Sequence, residues 1–224
     1  VQSLEEYEAL FAEGAAARAR GEASVAYLRD PGAPARIHAA IPGARLIASL
    51  RNPVDRAHSV YQMNRRNRGV HDMPFAEALK SEPMLQITYH DCLGRYLALF
   101  PREQLRIILL EDLEAQPRRT LAGLFEHLGV DPGFTPDLGR VANKGGEPRI
   151  RALHSILSNP RLIALSRRIA PEAVIAPLKA LRTRNLARRP LPEADRRAAS
   201  DFFREDILRT QDLLGRDLSH WLAA

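Results

Sequence analysis

The sequence predicts an α/β fold: parallel strands flanked by helices, with a helical C-terminal portion. Three observations predict it. Residues 46–50 (Leu-Ile-Ala-Ser-Leu) form a short apolar run of the kind buried on both faces of a parallel sheet. Residues 105–110 form a second such run, apolar apart from Arg106. Each run gives way at once to helical spacing, which is how βαβ units read in sequence.

The elements follow in order. A helix is expected over 3–20, with Ser3 and Glu6 as a capping box and Leu4, Tyr7, Leu10 and Phe11 as its apolar stripe. A short helix is expected over 33–40. After the strand at 46–50, Asn52-Pro53 reads as an N-cap with proline at the first helical position. Val54, Ala57, Val60 and Tyr61 continue at helical spacing until the basic turn Arg65-Arg66-Asn67-Arg68-Gly69. Residues 67–74 form a loop, and His71 within it is more simply a solvated side chain than a base. Helices follow over 75–79 and 88–100, the latter with Tyr89, Leu93, Tyr96, Leu97 and Phe100 as core. After the second strand come Glu111-Asp112-Leu113, Pro117 and a helix to Leu128, closed by Gly129 as a C-cap. Two carboxylates behind a strand suit a metal or a base. Residues 158–184 read as an arginine-rich helical pair broken at Pro171, and the tail over 191–221 as one long helix.

The bulk properties narrow the classes. A chain of 224 residues is large enough for one well-buried domain, and no repeats divide it. No apolar run approaches the ~18 residues needed to cross a membrane, and no signal-peptide pattern opens the chain. The lone Cys92 excludes an internal disulfide framework and fits a reducing compartment, so a cytoplasmic location is expected. Lys and Arg number 33 against 27 Asp and Glu, a net charge of +6. That charge is uneven. Residues 140–197 hold 14 basic and 4 acidic side chains, and the rest of the chain is mildly acidic. Such a segment suits a polyanionic ligand, although solvated helix faces account for many of the arginines.

Arg51 stands where the first strand ends and faces a helix start, the corner where open α/β sheets bind phosphorylated ligands. Its planar fork matches phosphate oxygens. Ser59 adds a hydroxyl on the helix, one turn beyond Asp55 on the same face. The competing reading has Arg51 paired with Asp55 and Ser59 merely facing solvent. A second candidate is the glycine-rich stretch 141–149, where Gly145 and Gly146 allow close backbone approach to phosphate and Lys144 and Arg149 supply charge.

The string Arg51, Pro53, Arg56, Ala57, Ser59 and Tyr61 after an apolar strand resembles the 3′-phosphate-binding segment of sulfotransferases. These enzymes use 3′-phosphoadenosine 5′-phosphosulfate (PAPS). The similarity is greatest to the bacterial and glycosaminoglycan branch. The resemblance implies a P-loop-like sheet, PAPS as co-substrate, no metal, and a hydroxyl- or amine-bearing acceptor such as a carbohydrate. It assigns the 3′-phosphate to Arg51 and Ser59, and the nucleotide-covering loop to Lys144, Gly145, Gly146 and Arg149. Glu111-Asp112-Leu113 with Pro117 and Leu128-Gly129-Val130 resembles a further block of the family, in which the carboxylate pair is structural. The ending Leu214-Gly215-Arg216-Asp217-Leu218-Ser219 with Trp221 resembles bacterial members. Residues 21–28 resemble a family segment, which implies a short apolar strand leading into a loop; Glu22 and Tyr27 match it, while Ala23 replaces a lysine near the transferring group and Val25 replaces a proline. Nothing before Glu22 resembles the family's basic, glycine-rich 5′-phosphosulfate loop, so the chain is expected to be a single sulfotransferase-like domain lacking that loop and the base beyond it, with no catalytic residue assigned. Two other readings stand beside this one: a noncatalytic nucleotide- or polyanion-binding module, and a nucleic-acid-binding protein using residues 140–197. The second lacks helix-turn-helix and zinc-ligand spacing.

Overall fold

The two apolar runs pair with each other. In the computed structural model, which describes residues 3–68, 73–138, 147–148, 186–187 and 189–223, strand β1 (Leu46–Leu50) and strand β2 (Leu105–Leu109) lie parallel, in register from Leu46 opposite Leu105 to Leu50 opposite Leu109. Parallel neighbours need a long crossover, and residues 51–104 supply it. Before β1 come helix α1 (Leu4–Ala9) and helix α2 (Ala33–Ala40). Between the strands lie α3 (Pro53–Arg68), α4 (Phe75–Ser81) and α5 (Tyr89–Leu97). Helices α6 (Leu110–Ala115) and α7 (Pro117–Leu128) follow β2 directly. A short antiparallel pair, β3 (Glu147–Pro148) with β4 (Leu186–Ala187), precedes the long helix α8 (Glu193–Leu214). The fold is α/β, with a small parallel sheet and flanking helices.

The chain divides into two compact units, residues 1–51 with 88–136 and residues 52–87 with 137–224. In the first, α5 turns Tyr89, Cys92, Leu93 and Tyr96 inward, and Leu50, Phe100, Leu105 and Leu109 are also buried. The end of α7 is fastened to the start of β1. Arg45 donates to the His127 carbonyl at 2.6 Å, and His127 Nε2 donates to the Leu46 carbonyl at 3.1 Å. A cation on those terminal carbonyls also opposes the negative end of the helix dipole. Gly129 closes α7 in the left-handed region (φ 70°), with Val130 N–H reaching back to the Phe125 carbonyl in a Schellman pattern.

In the second unit, α8 packs on α3 and α4, and β3 lies against α3. Val54, Ala57, Phe75, Ala78, Leu79, Phe203, Ile207 and Trp221 are buried there. Gly215, at φ 61°, ends α8 with Arg216 N–H donating to the Gln211 carbonyl. A 3₁₀ turn over Ser219–Trp221 then carries the tryptophan inward.

Several boundaries differ from the sequence expectation. The first helix stops at Ala9 and gives way to a 3₁₀ turn at Ala12–Gly14. Ser3 caps it as expected, accepting Glu6 N–H at 3.1 Å. Past Phe11, however, the alanine- and arginine-rich sequence has no apolar stripe to bury, and propensity alone does not sustain a short helix. Residues 21–24 are irregular and residues 25–29 form a turn, so no strand stands there. Ser24 Oγ accepts Ala26 N–H at 3.2 Å, and Val25 is 96% exposed. The helix expected over 75–79 runs on to Ser81, whereas that over 88–100 is trimmed to Tyr89–Leu97, with Leu97 half-buried. Leu110 opens α6 and does not extend β2. The tail is not one helix, because Gly215 breaks it. The helical pair expected over 158–184 lies outside the described residues.

The two left-handed glycines make a paired test. Gly215→Ala meets open space and carries backbone strain alone, expected to be about 1–2 kcal/mol. Gly129→Ala carries the same strain, and its Cβ would also lie 2.7 Å from Arg45 Nη1. Arg45 must then give up its hold on His127. Urea unfolding should therefore show the larger loss at Gly129.

Candidate functional site

The segment 51–61 is built from its first turn outward. Asn52 Oδ1 accepts Val54 N–H at 2.9 Å, and the Asn52 carbonyl accepts Arg56 N–H at 2.9 Å. With Pro53 at the first helical position, α3 begins as the sequence predicts. Asn52 Nδ2 donates to the Trp221 carbonyl at 3.2 Å.

The residues of the segment then separate by role. Pro53 and Ala57 are buried. Arg56 gives its guanidinium to three backbone carbonyls: Met84 at 3.1 Å, Leu85 at 2.8 Å and Ile87 at 3.2 Å. Tyr61 donates its hydroxyl to the Met73 carbonyl at 2.7 Å, and its ring meets Phe75 edge-on. These four side chains are occupied in holding the fold.

Arg51 and Ser59 are not. Arg51 follows β1 directly, is half-buried, and has no hydrogen-bond or ion-pair partner among the described residues. Ser59 is exposed on α3, and its hydroxyl likewise has no partner among the described residues. The carboxylate that could have occupied Arg51 is engaged elsewhere: Arg196 Nη2 on α8 lies 2.8 Å from Asp55 Oδ1. The reading in which Asp55 neutralises Arg51 is therefore replaced by an Asp55–Arg196 pair. Sequence reasoning missed Arg196, which lies 141 residues from Asp55. No local spacing signals it. Lys144, Gly145, Gly146, Arg149 and His71 lie outside the described residues.

In the first unit, the two residues kept from the second matched segment meet. Tyr27 donates its hydroxyl to the Glu22 carboxylate, and Tyr96 donates to the Tyr27 carbonyl at 2.9 Å. The Glu22 hydrogen bond, more than burial, pushes the Tyr27 phenol up to about 12. Tyr7 is also raised, by burial first and then by Glu22, and Tyr96 is raised by burial. Glu111 and Asp112 open α6. Among the described residues no group of three or more His, Cys, Asp or Glu side chains is placed to hold a metal, and no helix is long and apolar enough to cross a membrane.

A parallel strand running into an Asn-capped helix marks an α/β protein, and the turn between such elements is where α/β folds commonly bind phosphorylated ligands. The model of the sulfotransferase family matches residues 7–136, a span that contains the whole 51–61 segment. The chain belongs to the sulfotransferase family. It is similar to the bifunctional heparan sulfate N-deacetylase/N-sulfotransferase 2 of Bos taurus, 28% identical over 141 residues, or 55% of this chain and 16% of that protein. The protein of the same name from Homo sapiens matches over 130 residues at 28% identity, covering 50% of this chain and 14% of its own length. These matches thus span less than a fifth of either relative. A sulfotransferase from Alicyclobacillus acidocaldarius has a crystal structure that aligns with all of this chain and 75% of its own, at TM-score 0.69 and 27% identity.

Two measurements test this division of labour. Arg56→Ala should cost about 2 kcal/mol or more in urea unfolding, because it strands carbonyls that Arg56 now satisfies. Ser59→Ala, on an exposed helix face, should stay within about 0.5 kcal/mol of the parent. The Tyr27 phenol gives a pH test. Its pKa is raised on folding, so its contribution to stability is complete below about 10 and is lost as pH rises through about 12. In a titration followed at 295 nm, Glu22→Ala should bring Tyr27 back toward 10 and leave Tyr96 late.

Proposed function

We propose that this chain moves a sulfonyl group from PAPS to a hydroxyl or amine acceptor, with a carbohydrate as the preferred class. The observation that carries the reading is the division within 51–61: Pro53, Arg56, Ala57 and Tyr61 are occupied by the fold, while the donors of Arg51 and Ser59 remain uncommitted among the described residues. Phosphate recognition needs such donors, and a guanidinium is well suited to it. In this reading Arg51 and Ser59 hold the 3′-phosphate. Lys144, Gly145, Gly146 and Arg149 close over the nucleotide, and the whole chain acts as one P-loop-like sulfotransferase domain without a metal. The bacterial and glycosaminoglycan branch is favoured by the two relatives named as heparan sulfate N-sulfotransferases, which also favour an amine among the acceptors. A cytoplasmic location is part of this reading, supported by the single cysteine, Cys92.

The chemistry is an in-line displacement at sulfur. The acceptor oxygen or nitrogen forms a bond to sulfur as the bond from sulfur to the bridging oxygen of the 5′-phosphate breaks. The electron pair leaves with adenosine 3′,5′-bisphosphate, and the acceptor's proton passes to a base. Residues that fix the nucleotide contribute by orienting the reacting bond, and cationic donors stabilise the departing oxygen. The role of Arg51 and Ser59 is the first of these. They grip the end of the nucleotide remote from sulfur, so their binding energy sets position.

Calorimetry with adenosine 3′,5′-bisphosphate is the direct test. The wild-type protein should bind it more tightly than adenosine 5′-monophosphate, and Arg51→Ala should weaken the bisphosphate alone, by about 10- to 100-fold. Transfer of labelled sulfonyl from PAPS to an amine-bearing oligosaccharide then decides the class. Bisphosphate binding without transfer to any acceptor would favour the noncatalytic nucleotide-binding reading. Absence of binding, with Arg51→Ala indistinguishable from wild type, would remove the proposal altogether.

A further inference from the structure

We infer that Arg196 is a further ligand of the nucleotide 3′-phosphate at Ser59, held in place by Asp55; the inference rests on the nucleotide reading above. Asp55 and Ser59 lie one turn apart on the same face of α3, so their Cβ atoms are about 5–6 Å apart. A phosphate accepting from the Ser59 hydroxyl therefore meets a carboxylate one turn away. Left alone, that carboxylate repels the ligand. Arg196 removes the conflict, with Nη2 2.8 Å from Asp55 Oδ1 and both side chains part-exposed.

Three features take the pair beyond a simple clasp between helices. The contact is single, one Nη to one carboxylate oxygen, and not the bidentate fork of a saturated arginine–carboxylate pair. The remaining guanidinium donors have no partner among the described residues. Arg196 also stands in the first turns of α8, behind Pro192 as N-cap, where the helix dipole disfavours a cation. Its neighbour Arg197 has Glu193 to compensate it within the helix, whereas Arg196 looks across to α3. The result is a guanidinium anchored at one nitrogen to Asp55, one helical turn along α3 from the uncommitted Ser59 hydroxyl. An anion with several acceptor oxygens completes that arrangement: Arg196 bridges Asp55 and phosphate, and Ser59 donates to another phosphate oxygen. Asp55 is then a positioning residue. It holds the fork on the face of α3 that carries Ser59, and the ion pair offsets the charge that would otherwise oppose the ligand.

The test is nucleotide discrimination, which a merely structural role leaves alone. Dissociation constants for adenosine 3′,5′-bisphosphate and adenosine 5′-monophosphate are measured by calorimetry on wild type, Arg196→Ala, Arg196→Gln, Arg196→Lys and the double variant Asp55→Asn with Arg196→Ala. Circular dichroism establishes that each is folded. Arg196→Ala should weaken the bisphosphate about 10- to 100-fold and the monophosphate hardly at all. Arg196→Lys should recover part of the loss, since it returns charge without the fork. The double variant should bind the bisphosphate better than Arg196→Ala, because the exposed carboxylate is gone. If Arg196→Ala does not fold, Arg196→Gln carries the same expectation. A folded Arg196 variant that lacks the charge yet keeps the wild-type preference overturns the inference, as does an equal loss for both nucleotides. A wild-type protein with no preference for the bisphosphate overturns instead the assignment of Ser59 to a 3′-phosphate, a distinguishable failure.

Discussion

The side chain of Asn52 is fixed at both of its polar ends, and the arrangement of the candidate site follows from that. Its carbonyl oxygen takes the Val54 N–H and starts α3, while its amide nitrogen donates to the Trp221 carbonyl near the end of the chain. An N-cap ordinarily satisfies one orphan donor of a helix. This one also ties the first turn of α3 to the C-terminal turn, whose Trp221 is almost wholly buried. Pro53 fixes its own φ and restricts Asn52 before it, so the first turn of α3 starts from a constrained backbone. If Arg51 holds a phosphate, as proposed, its backbone has to be held by something other than the ligand.

The same reasoning explains why the two arginines of the segment, Arg51 and Arg56, differ in what they hold. Arg56 resembles Arg51 in composition and sequence neighbourhood, yet it spends its donors on the carbonyls of Met84, Leu85 and Ile87, in the stretch between α4 and α5. Carbonyls outside regular structure need donors as much as helix ends do. A planar guanidinium can satisfy three of them from one place. Arg51 has no such claim on it among the described residues. What distinguishes a structural from a ligand-binding arginine is thus the supply of nearby acceptors, and the surrounding chain decides that.

The legibility of the fold varied with how far its determinants lay apart in sequence. Strands β1 and β2 were legible because five consecutive apolar or small residues leave few alternatives, and α7 because Pro117 and Gly129 mark its two ends. Helix α1 was overextended. Its capped start was read correctly, but alanine and arginine after Phe11 favour a helix without giving it a face to bury, and burial decides. The tail was read through Gly215, whose positive φ was recognisable in principle from its place after Leu214. Within the candidate site, Arg51, Ser59 and the Asn52-Pro53 start were visible as local pattern, and the family match over 7–136 includes all of them. The partner of Asp55 was not. Spacing along α3 exposed the carboxylate and suggested Arg51 as its neighbour, whereas the actual partner enters from α8 through tertiary packing.

That exchange of partners changes the electrostatics of the α3 face. Had Asp55 taken Arg51, the carboxylate would have consumed the one cation best placed at the end of β1, and the segment would have been a closed structural pair. With Arg196 on Asp55, the carboxylate is compensated from within its own unit and Arg51 keeps its donors. The pair is part-exposed, so its own contribution to stability is small, in the range of about 0–1 kcal/mol typical of such pairs. In the proposed nucleotide reading its larger effect is on an anion that approaches Ser59, which meets a compensated carboxylate in place of a bare one. On that proposal the charge compensation adds little to the fold and acts on whether a dianion is repelled or held, which is how complementary charge serves a binding surface.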